Sequence, residues 1–482
     1  MRKTGLLLAV SSLPSKYGIG DFGHEAYRFL EDCNKSLIKI WQILPLNPLG
    51  YGYSPYQPYS SKAMDELYIS LEILHKEGLI EKPKKFNENS DRVDYEAVKN
   101  YKEKYLSEAF SNFKPDSYYE EFISQEWVYN YAVFICFKKE NDLKQWNLWS
   151  KEQISWIKDH KLDLSKYQNE IEFEMFKQYI LFKQWMKIKE FANSLDIQIM
   201  GDIPFYVGFD SLDVYSNTDK FLLDDQYNPE FIAGVPPDYF AKTGQRWGNP
   251  IYDWKELKKS NFDFWIDRIS YNSQLFDIIR IDHFRAFDTY WKIPAECKTA
   301  IKGEWVKAPG FEFFDELFKK YPDINLVAED LGDITDGVFE LRDHYNFKGM
   351  KIIQFLFDPR ETNNDGDTNK NSIIYTGTHD NSTIKGWFNT LNNKTRKEVL
   401  KSLRKRNYDY NNLVDMFIEY ELESIADYAI IPMQDLLKLD DTARMNVPGS
   451  IGWPNWTWKM ANFRLFESRL HFIKRLIKKY NR

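Results

Sequence analysis

Three acidic residues stand at the ends of short apolar runs in this sequence. They are Asp282 in IIRIDHF, Glu329 in NLVAEDL and Asp380 in YTGTHDN. An acid at the end of an apolar strand is costly to bury unless it is paired or takes part in chemistry. For any one of them a structural ion pair is the expected role. Three acids, each at the same end of a predicted strand, favour a catalytic site instead.

The neighbours of two of these acids predict opposite protonation states. Arg280 and Asp282 are two residues apart, so their side chains share one face of a strand, and Arg280 is expected to keep Asp282 ionised. Glu329 follows the apolar run 326–328, which is expected to raise its pKa toward that of a general acid. An ionised and a protonated carboxyl about 5 Å apart serve as nucleophile and acid in retaining glycoside chemistry. The sequence alone does not give their separation.

Eight apolar runs, many rich in β-branched residues, alternate with segments of helical periodicity. Continuous apolar runs between helices are typical of parallel strands covered on both faces, and eight is the number that a (β/α)8 barrel requires. We therefore predict an α/β fold, a (β/α)8 TIM barrel with loop subdomains around its C-terminal face. The runs are GLLLAVSS, LIKIWQILP, IQIMGDIP, DIIRIDHF, INLVAEDL, MKIIQFLF, IIYTGTHD and AIIPMQDLL.

The spacing of these runs is uneven, which predicts insertions. The second run ends near Pro45 and the third begins near Ile197. Between them we predict a mostly helical insertion over residues 61–180, with the catalytic barrel formed by residues 1–60 and 181–482. A second long segment follows the third run, and such excursions from the C-terminal ends of barrel strands build active-site walls.

Aromatic residues make up 17% of the chain, and most of them must pack in the core and the insertion. The informative ones occur in loops rich in glycine and proline, namely GYGYSPYQPYSS, GVPPDYF, GQRWGNP and NVPGSIGWPNWTW. Aromatic faces suit the apolar faces of sugar rings, while polar groups bind the hydroxyls. These loops are therefore predicted to form the walls of a binding cleft.

Composition excludes several classes of function. The formal net charge of -7 and the pI of about 5.7 argue against a nucleic-acid-binding protein. Cys33, Cys136 and Cys297 are far apart and odd in number, which offers no disulfide framework and suits a reducing cytoplasm. The apolar run Leu6–Val10 is shorter than the core of a typical signal peptide. No apolar run approaches the length of a membrane span.

Three motifs suggest other sites and fail on inspection. GIGDFG at 18–23 matches a dinucleotide fingerprint, but the second predicted strand ends in WQILPL without the required acid. DGDTNKN at 365–371 resembles a calcium loop, yet lysine stands where glycine is required. His283 and His379 each adjoin an aspartate without metal-ligand spacing, so hydrogen bonding to a sugar hydroxyl or a carboxylate is predicted and no metal is expected.

The order of the motifs resembles that of the amylomaltases, the 4-alpha-glucanotransferases of the α-amylase-like clan. The matching segments are SSLPSKYGIGDFG, WQILPLNPLGYGYSPYQPYSS, GDIPFYV, GVPPDYFAKTGQRWGNP, RIDHFRAF, VAEDLG, YTGTHDN and MNVPG followed by NWTW. They extend nearly from end to end, whereas residues 61–180 carry little of the resemblance. The resemblance implies a retaining double displacement on α-1,4-glucans, without a metal or organic cofactor.

The resemblance also implies roles for single residues. Asp282 would be the nucleophile, Glu329 the acid/base, and Asp380 a third carboxylate that binds ring hydroxyls and stabilises the transition state. The other matches are expected to bind substrate: Arg280 and His379 around the ring at the scissile bond, Asp202 as the family's acid at the end of the third strand, Ser54, Tyr56 and Gln57 at the donor glucose, Asp238, Tyr239 and Phe240 over the acceptor side, and Asn455 and Trp456 along the cleft. The expected partners are a maltodextrin donor and a glucose or maltodextrin acceptor.

Two alternatives stay open at this point. A different activity on the same scaffold, such as an α-glucan hydrolase, would use the same three carboxylates. A catalytically silent glycan-binding protein belongs to another class, and the presence of all three carboxylates argues against it. The oligomeric state does not follow from the sequence.

Overall fold

The computed structural model describes residues 2–86, 90–237, 242–358, 369–408 and 412–482. The predicted acceptor-side residues Asp238, Tyr239 and Phe240, and residues 365–368 of the DGDTNKN segment, lie outside the described residues. Numbered in chain order, the described strands are β1 Lys3–Leu7, β2 Ile40–Gln42, β3 Gln198–Pro204, β4 Phe231–Val235, β5 Gln245–Pro250, β6 Ile278–Asp282, β7 Thr289–Pro294, β8 Glu304–Lys307, β9 Leu326–Ala328, β10 Gly349–Ile352, β11 Ser372–Tyr375 and β12 Tyr428–Pro432.

Eight of these strands form a parallel barrel, and each lies within or overlaps one of the eight predicted runs, which confirms the fold prediction. Their order around the sheet is β10, β11, β12, β1, β2, β3, β6 and β9. The barrel closes where β9 meets β10, through a parallel bridge between Val327 and Lys348 and a hydrogen bond from Ala328 N to Lys348 O at 3.0 Å. The C-terminal ends of all eight strands therefore meet at one face.

The predicted runs are longer than the strands because several continue into buried helices. The run MKIIQFLF leaves β10 at Ile352 and forms a short helix, and AIIPMQDLL leaves β12 at Pro432 in the same way. Apolar residues continue through both elements, so periodicity alone does not mark the boundary.

Helices cover the outside of the barrel. None of the described helices is both long enough and apolar enough to cross a membrane. The α-helices are α1 His24–Lys35, α2 Leu71–Lys76, α3 Tyr95–Asn112, α4 Ser117–Ile123, α5 Glu126–Glu140, α6 Lys151–Asp159, α7 Gln168–Ser194, α8 Leu212–Ser216, α9 Trp254–Lys259, α10 Asp263–Leu275, α11 Gly310–Lys320, α12 Asp336–His344, α13 Ile353–Phe357, α14 Ile384–Thr390, α15 Asn393–Arg404, α16 Leu413–Glu423, α17 Met433–Leu436 and α18 Arg464–Tyr480.

The described chain also contains short 3-10 helices, several of them beside the strand ends. They are Val10–Ser12, Tyr51–Tyr53, Glu66–Tyr68, Trp146–Leu148, Ser165–Tyr167, Thr218–Lys220, Phe284–Phe287 and Asp441–Ala443.

Residues 61–180 contain helices α2 to α6 and the first part of α7. The predicted boundary at residue 180 lies inside α7, which continues to Ser194 and leads into β3. The amide of Gln178 exchanges two hydrogen bonds with the backbone of Met64, each at 2.9 Å. The indole of Trp185 donates to Leu275 O at the end of α10. Because α7 packs on both the insertion and the barrel layer, the division of the chain at residue 180 stays a prediction.

A second sheet stands beside the catalytic end of the barrel. It is antiparallel, with the order β5, β4, β7 and β8. The pair β4–β5 comes from the excursion after β3, and the pair β7–β8 from the excursion after β6. A small separate core of Ile232, Ile293 and Ala300 holds it together. The predicted loop walls are thus partly a folded sheet, which supports the segments that follow two site-bearing strands.

Candidate active site

Asp282 and Glu329 stand at equivalent positions on adjacent strands. Ile281 of β6 pairs with Ala328 of β9, and the N–H of Glu329 donates to Ile281 O at 3.1 Å. The two acids are the next residues along each strand, at the C-terminal face. Neighbouring strands lie about 4.8 Å apart, so the backbone brings the two carboxyl groups side by side.

Glu329 is partly buried and is held by backbone amides. Its Oε2 accepts from the N–H of His283 at 2.7 Å, and its Oε1 accepts from the N–H of Leu331 at 3.3 Å. Burial raises the pKa of Glu329 above its usual value, while Arg280 and the two amides oppose that shift. The direction agrees with the sequence prediction, and it favours the protonated form that a general acid requires.

Arg280 contacts two carboxylates, those of Asp202 and Asp282. Its Nη1 lies 2.7 Å from both carboxylate oxygens of Asp202 and 3.0 Å from Oδ1 of Asp282. Burial raises the pKa of Asp282 well above its usual value, against the opposing charge of Arg280, and Asp202, Glu329 and Asp380 add to the rise. The charge of Arg280 acts in the predicted direction, but burial outweighs it, so the predicted net lowering of the Asp282 pKa was wrong.

Tyr56 links the loop after β2 to this cluster. Its hydroxyl donates to Asp202 Oδ2 at 2.8 Å and lies 2.9 Å from Nε2 of His379. Because the hydroxyl proton is used on Asp202, Nε2 of His379 must donate to the Tyr56 oxygen. The two rings stack with centroids 5.2 Å apart, and Trp456 packs against both. Burial lowers the pKa of His379, so the imidazole is neutral at pH 7.

Asp380 is more accessible than Asp282, with 42% of its side chain exposed against 28%. Its Oδ1 accepts from Nδ2 of Asn446 at 2.7 Å, and its backbone oxygen accepts from Arg444 at 2.5 Å. Sequence reasoning missed both partners. The MN pair that begins the matching segment MNVPG was the available signal, because Asn446 stands at the start of that loop.

The remaining loop residues that we predicted as substrate contacts use their polar atoms within the loops. Asn455 accepts from Val447 N at 3.0 Å and donates to Ser450 Oγ at 3.0 Å. Ser54 Oγ accepts from the N–H of Tyr56 at 3.3 Å. Each of these contacts fixes the shape of a loop around the cleft.

The second sheet reaches the site through Trp247 of β5. Gln57 donates to Trp247 O at 2.9 Å, so this contact joins the loop after β2 to the sheet. The indole of Trp247 meets the ring of His283 edge-on, with centroids 4.9 Å apart. Burial and the nearby charge of Arg285 lower the pKa of His283 to about 3, so its imidazole is uncharged at neutral pH.

Arg285 lies behind the site. Its guanidinium stacks on Trp305 of β8 at 3.8 Å from the ring centroid and donates to the backbone oxygen of Asp333. It therefore connects the segment after Asp282 to the segment after Glu329. Among the described residues, no cluster of three or more His, Cys, Asp or Glu side chains has the geometry of a metal site.

The chain is similar to known proteins over nearly its whole length. A family model described as 4-alpha-glucanotransferase matches residues 8–465. The chain is 41% identical to a 4-alpha-glucanotransferase of Aquifex aeolicus, with 100% of both chains covered. It is 40% identical to one of Clostridium butyricum, over 98% of this chain and 99% of that protein. The solved amylomaltase of Streptococcus agalactiae, in complex with acarbose, superposes with a TM-score of 0.94 at 34% identity over 100% of both chains. The chain therefore belongs to the 4-alpha-glucanotransferase family of enzymes.

Proposed function

We propose that this enzyme transfers α-1,4-glucan segments by a retaining double displacement through a covalent intermediate. Asp282 attacks the anomeric carbon of the donor, and Glu329 gives its proton to the departing 4-oxygen, so the glycosidic bond breaks as a glycosyl ester forms. Glu329 then takes the proton from the 4-hydroxyl of an acceptor glucan or glucose. That oxygen attacks the same carbon, and the carboxylate of Asp282 departs.

The observation that carries this proposal is the pairing of Asp282 with Glu329 at one level of adjacent strands. Retaining enzymes place the two carboxyls about 5–5.5 Å apart, whereas inverting enzymes leave about 6.5–9.5 Å for a water molecule. A strand spacing of about 4.8 Å supports the shorter separation. The amides on Glu329 and the guanidinium beside Asp282 give the two groups different surroundings, as separate roles require.

Asp380, His379 and Tyr56 are suited to bind the sugar ring beside these two acids. Asp380 keeps one oxygen on Asn446 and leaves much of its side chain exposed. The neutral imidazole of His379 and the Tyr56 hydroxyl hold each other in place by a hydrogen bond without adding charge. A carboxylate near the ring stabilises the positive charge that develops in an oxocarbenium-like transition state.

Transfer to a sugar instead of water requires a partly closed cleft with acceptor contacts. The contact of Gln57 with Trp247 places the second sheet over the cleft wall, and the segment that includes Asp238, Tyr239 and Phe240 joins β4 to β5 in the sequence. We assign acceptor binding to this side.

The three cysteines form no disulfide, which supports a cytoplasmic location, and the acidic composition argues against a nucleic-acid partner.

Incubation with maltotriose tests the activity directly. Transfer yields glucose together with a ladder of longer maltodextrins, each carrying only α-1,4 links, which chromatography resolves. Maltose and glucose without longer products would identify a hydrolase on the same scaffold. Binding of maltodextrin without turnover would identify a silent glycan-binding protein.

A further inference from the structure

A single buried carboxylate joins the two stems of the loop that carries His379 and Asp380. Asp435 of α17 accepts from the hydroxyl of Thr376, directly after β11, at 2.6 Å. Its other oxygen accepts from the N–H of Ile384, at the start of α14, at 2.8 Å. Asp435 is only 1% exposed. Both ends of the loop are therefore tied to one side chain.

Gln354 of α13 crosses the same loop from inside the barrel. Its Nε2 donates to Thr376 O at 3.2 Å and to Ser382 O at 2.7 Å. A Cβ on Gly377 would lie 2.7 Å from this nitrogen, so the loop passes tightly over the amide. Two independent side chains thus fix one short path for the backbone.

In the described chain the carboxylate of Asp435 is hydrogen-bonded to the two stems of this loop and to no other group. Among the described residues no cation is paired with it, and the ionisable groups that act on it, Asp441 and Glu421, are both acidic. Burial raises its pKa to about 6. A buried carboxylate without a cation is unfavourable for folding compared with an apolar side chain of similar size. What Asp435 contributes to the structure is its two hydrogen bonds to the loop.

We propose that Asp435 is a positioning residue for glucan transfer, which holds His379 and Asp380 against the sugar ring by joining Thr376 to Ile384. The proposal rests on the proposed function, because it assigns the loop a role in the transition state. Asp435 does not touch the substrate. Its removal lets the loop shift, and a displacement of about 1 Å in a catalytic group lowers turnover by about 100-fold.

The test compares Asp435→Ala with Asp435→Asn. For the alanine variant we expect kcat with maltotriose to fall at least ten-fold while KM changes less than three-fold, since the loop acts mainly in the transition state. The asparagine variant should recover most of kcat, because its Oδ1 accepts from Ile384 and its Nδ2 donates to the Thr376 oxygen. Unchanged kcat in Asp435→Ala would overturn the proposal.

Asp415 offers a matched control, because it is a buried aspartate that pairs with Lys438 and Arg469 and not with this loop. Asp415→Ala should lose thermal stability while keeping kcat at a temperature where it is folded. An equal loss of kcat in the Asp415 and Asp435 variants would assign the effect to general destabilisation and overturn the proposal.

Should Asp435→Ala not fold, Thr376→Val removes one of the two hydrogen bonds to Asp435 and should lower kcat several-fold. Unchanged kcat in Thr376→Val would then reject the proposal.

A double-variant cycle locates the effect. In an Asp380→Asn background, measured with an α-maltosyl fluoride donor whose leaving group needs no proton, adding Asp435→Ala should cost less than three-fold further, because both changes act on the same loop. If the fold-losses of the two single variants multiply in the double variant, Asp435 does not act through Asp380. A failure of the proposed function differs from both outcomes, because the unaltered enzyme would then give no maltodextrin ladder.

Discussion

The N–H of His283 donates to Oε2 of Glu329 at 2.7 Å. His283 directly follows Asp282 and has φ of 58°, a left-handed conformation that is uncommon for a residue with a side chain. Because of this conformation the chain turns at the end of β6, and the amide of His283 faces the carboxyl group of Glu329, which directly follows β9. The proposed nucleophile and the proposed acid/base are therefore joined through one backbone unit, and a change in one strand end alters the other.

Asp282→Asn is expected to abolish turnover of maltotriose while leaving maltodextrin binding intact, because the amide is a very poor nucleophile and keeps the shape of the side chain. We expect at least a 10³-fold loss in kcat. Product chromatography gives the activity, and titration calorimetry gives the binding. An Asp282→Asn enzyme that retained activity would remove Asp282 from the role of nucleophile.

Glu329→Gln removes the proton donor but keeps an oxygen that accepts from His283. Transfer between natural glucans should fall by about 10²–10⁴-fold. The glycosylation step with α-maltosyl fluoride should fall far less, because fluoride departs without protonation. A burst of fluoride measures that step. Equal losses with maltotriose and with the fluoride would contradict the assignment of Glu329 as the acid.

The pH profile of kcat/KM should be bell-shaped, because turnover requires ionised Asp282 and protonated Glu329. Burial raises both pKa values, so the acid limb should lie above the usual aspartate value of 3.8 and the alkaline limb above the usual glutamate value of 4.5. The two limbs report the coupled pair together. With the fluoride donor, which needs no proton from Glu329, the alkaline limb of kcat/KM should be absent from the parent enzyme as well. A profile that is flat from about pH 4 to about pH 6 would contradict the raised pKa of Asp282.

The same shift predicts how stability depends on pH. The pKa of Asp282 is higher in the folded state than in the unfolded chain, so the ionised side chain opposes folding. This cost is absent below the unfolded value near 3.8, grows as pH rises through the folded pKa, and is then constant. Asp282→Asn should therefore melt at a higher temperature than the parent at pH 7, and the difference should shrink toward pH 4. Calorimetry at both pH values measures it, and a variant that is less stable at pH 7 would refute the argument.

Trp453 is expected to contact long glucans. Its loop is anchored on the site by Asn446, and Trp453 and Ile451 at its outer part are 69% and 73% exposed. Trp453→Ala should raise KM for a long maltodextrin several-fold and leave KM for maltotriose within two-fold. Leu465→Ala, which truncates a 55% exposed apolar side chain at the start of α18, is the control. Equal KM values for the Trp453 variant and the parent with long substrates would exclude the contact.

The sequence predicted the barrel well because each of its strands is a continuous apolar run. Asp282, Glu329 and Asp380 were recognisable for the same reason, since an acid interrupts each run at the same end. Asp202 and Tyr56 were assigned only through the family resemblance, and the structure places both in hydrogen-bonded contact with the cluster.

What the sequence did not predict depends on contacts between distant segments. Asn446 lies 66 residues from the Asp380 that it binds, and no periodicity connects them. The raised pKa of Asp282 arises mainly from its burial, to which carboxylates on other strands add, and both depend on the tertiary structure. The four-stranded sheet was also missed, because its strands are short and come from two separate excursions.

The seam between β9 and β10 makes the barrel uneven in its local stability. Every other pair of neighbouring barrel strands is joined over three or more residue pairs, while in the described chain β9 meets β10 through one bridge. The amide proton of Ala328, which bonds to Lys348 across this seam, should therefore exchange with solvent through local opening before those of β1 or β12. Because β9 leads directly into Glu329, gentle heating should inactivate the enzyme while most of its helices remain folded.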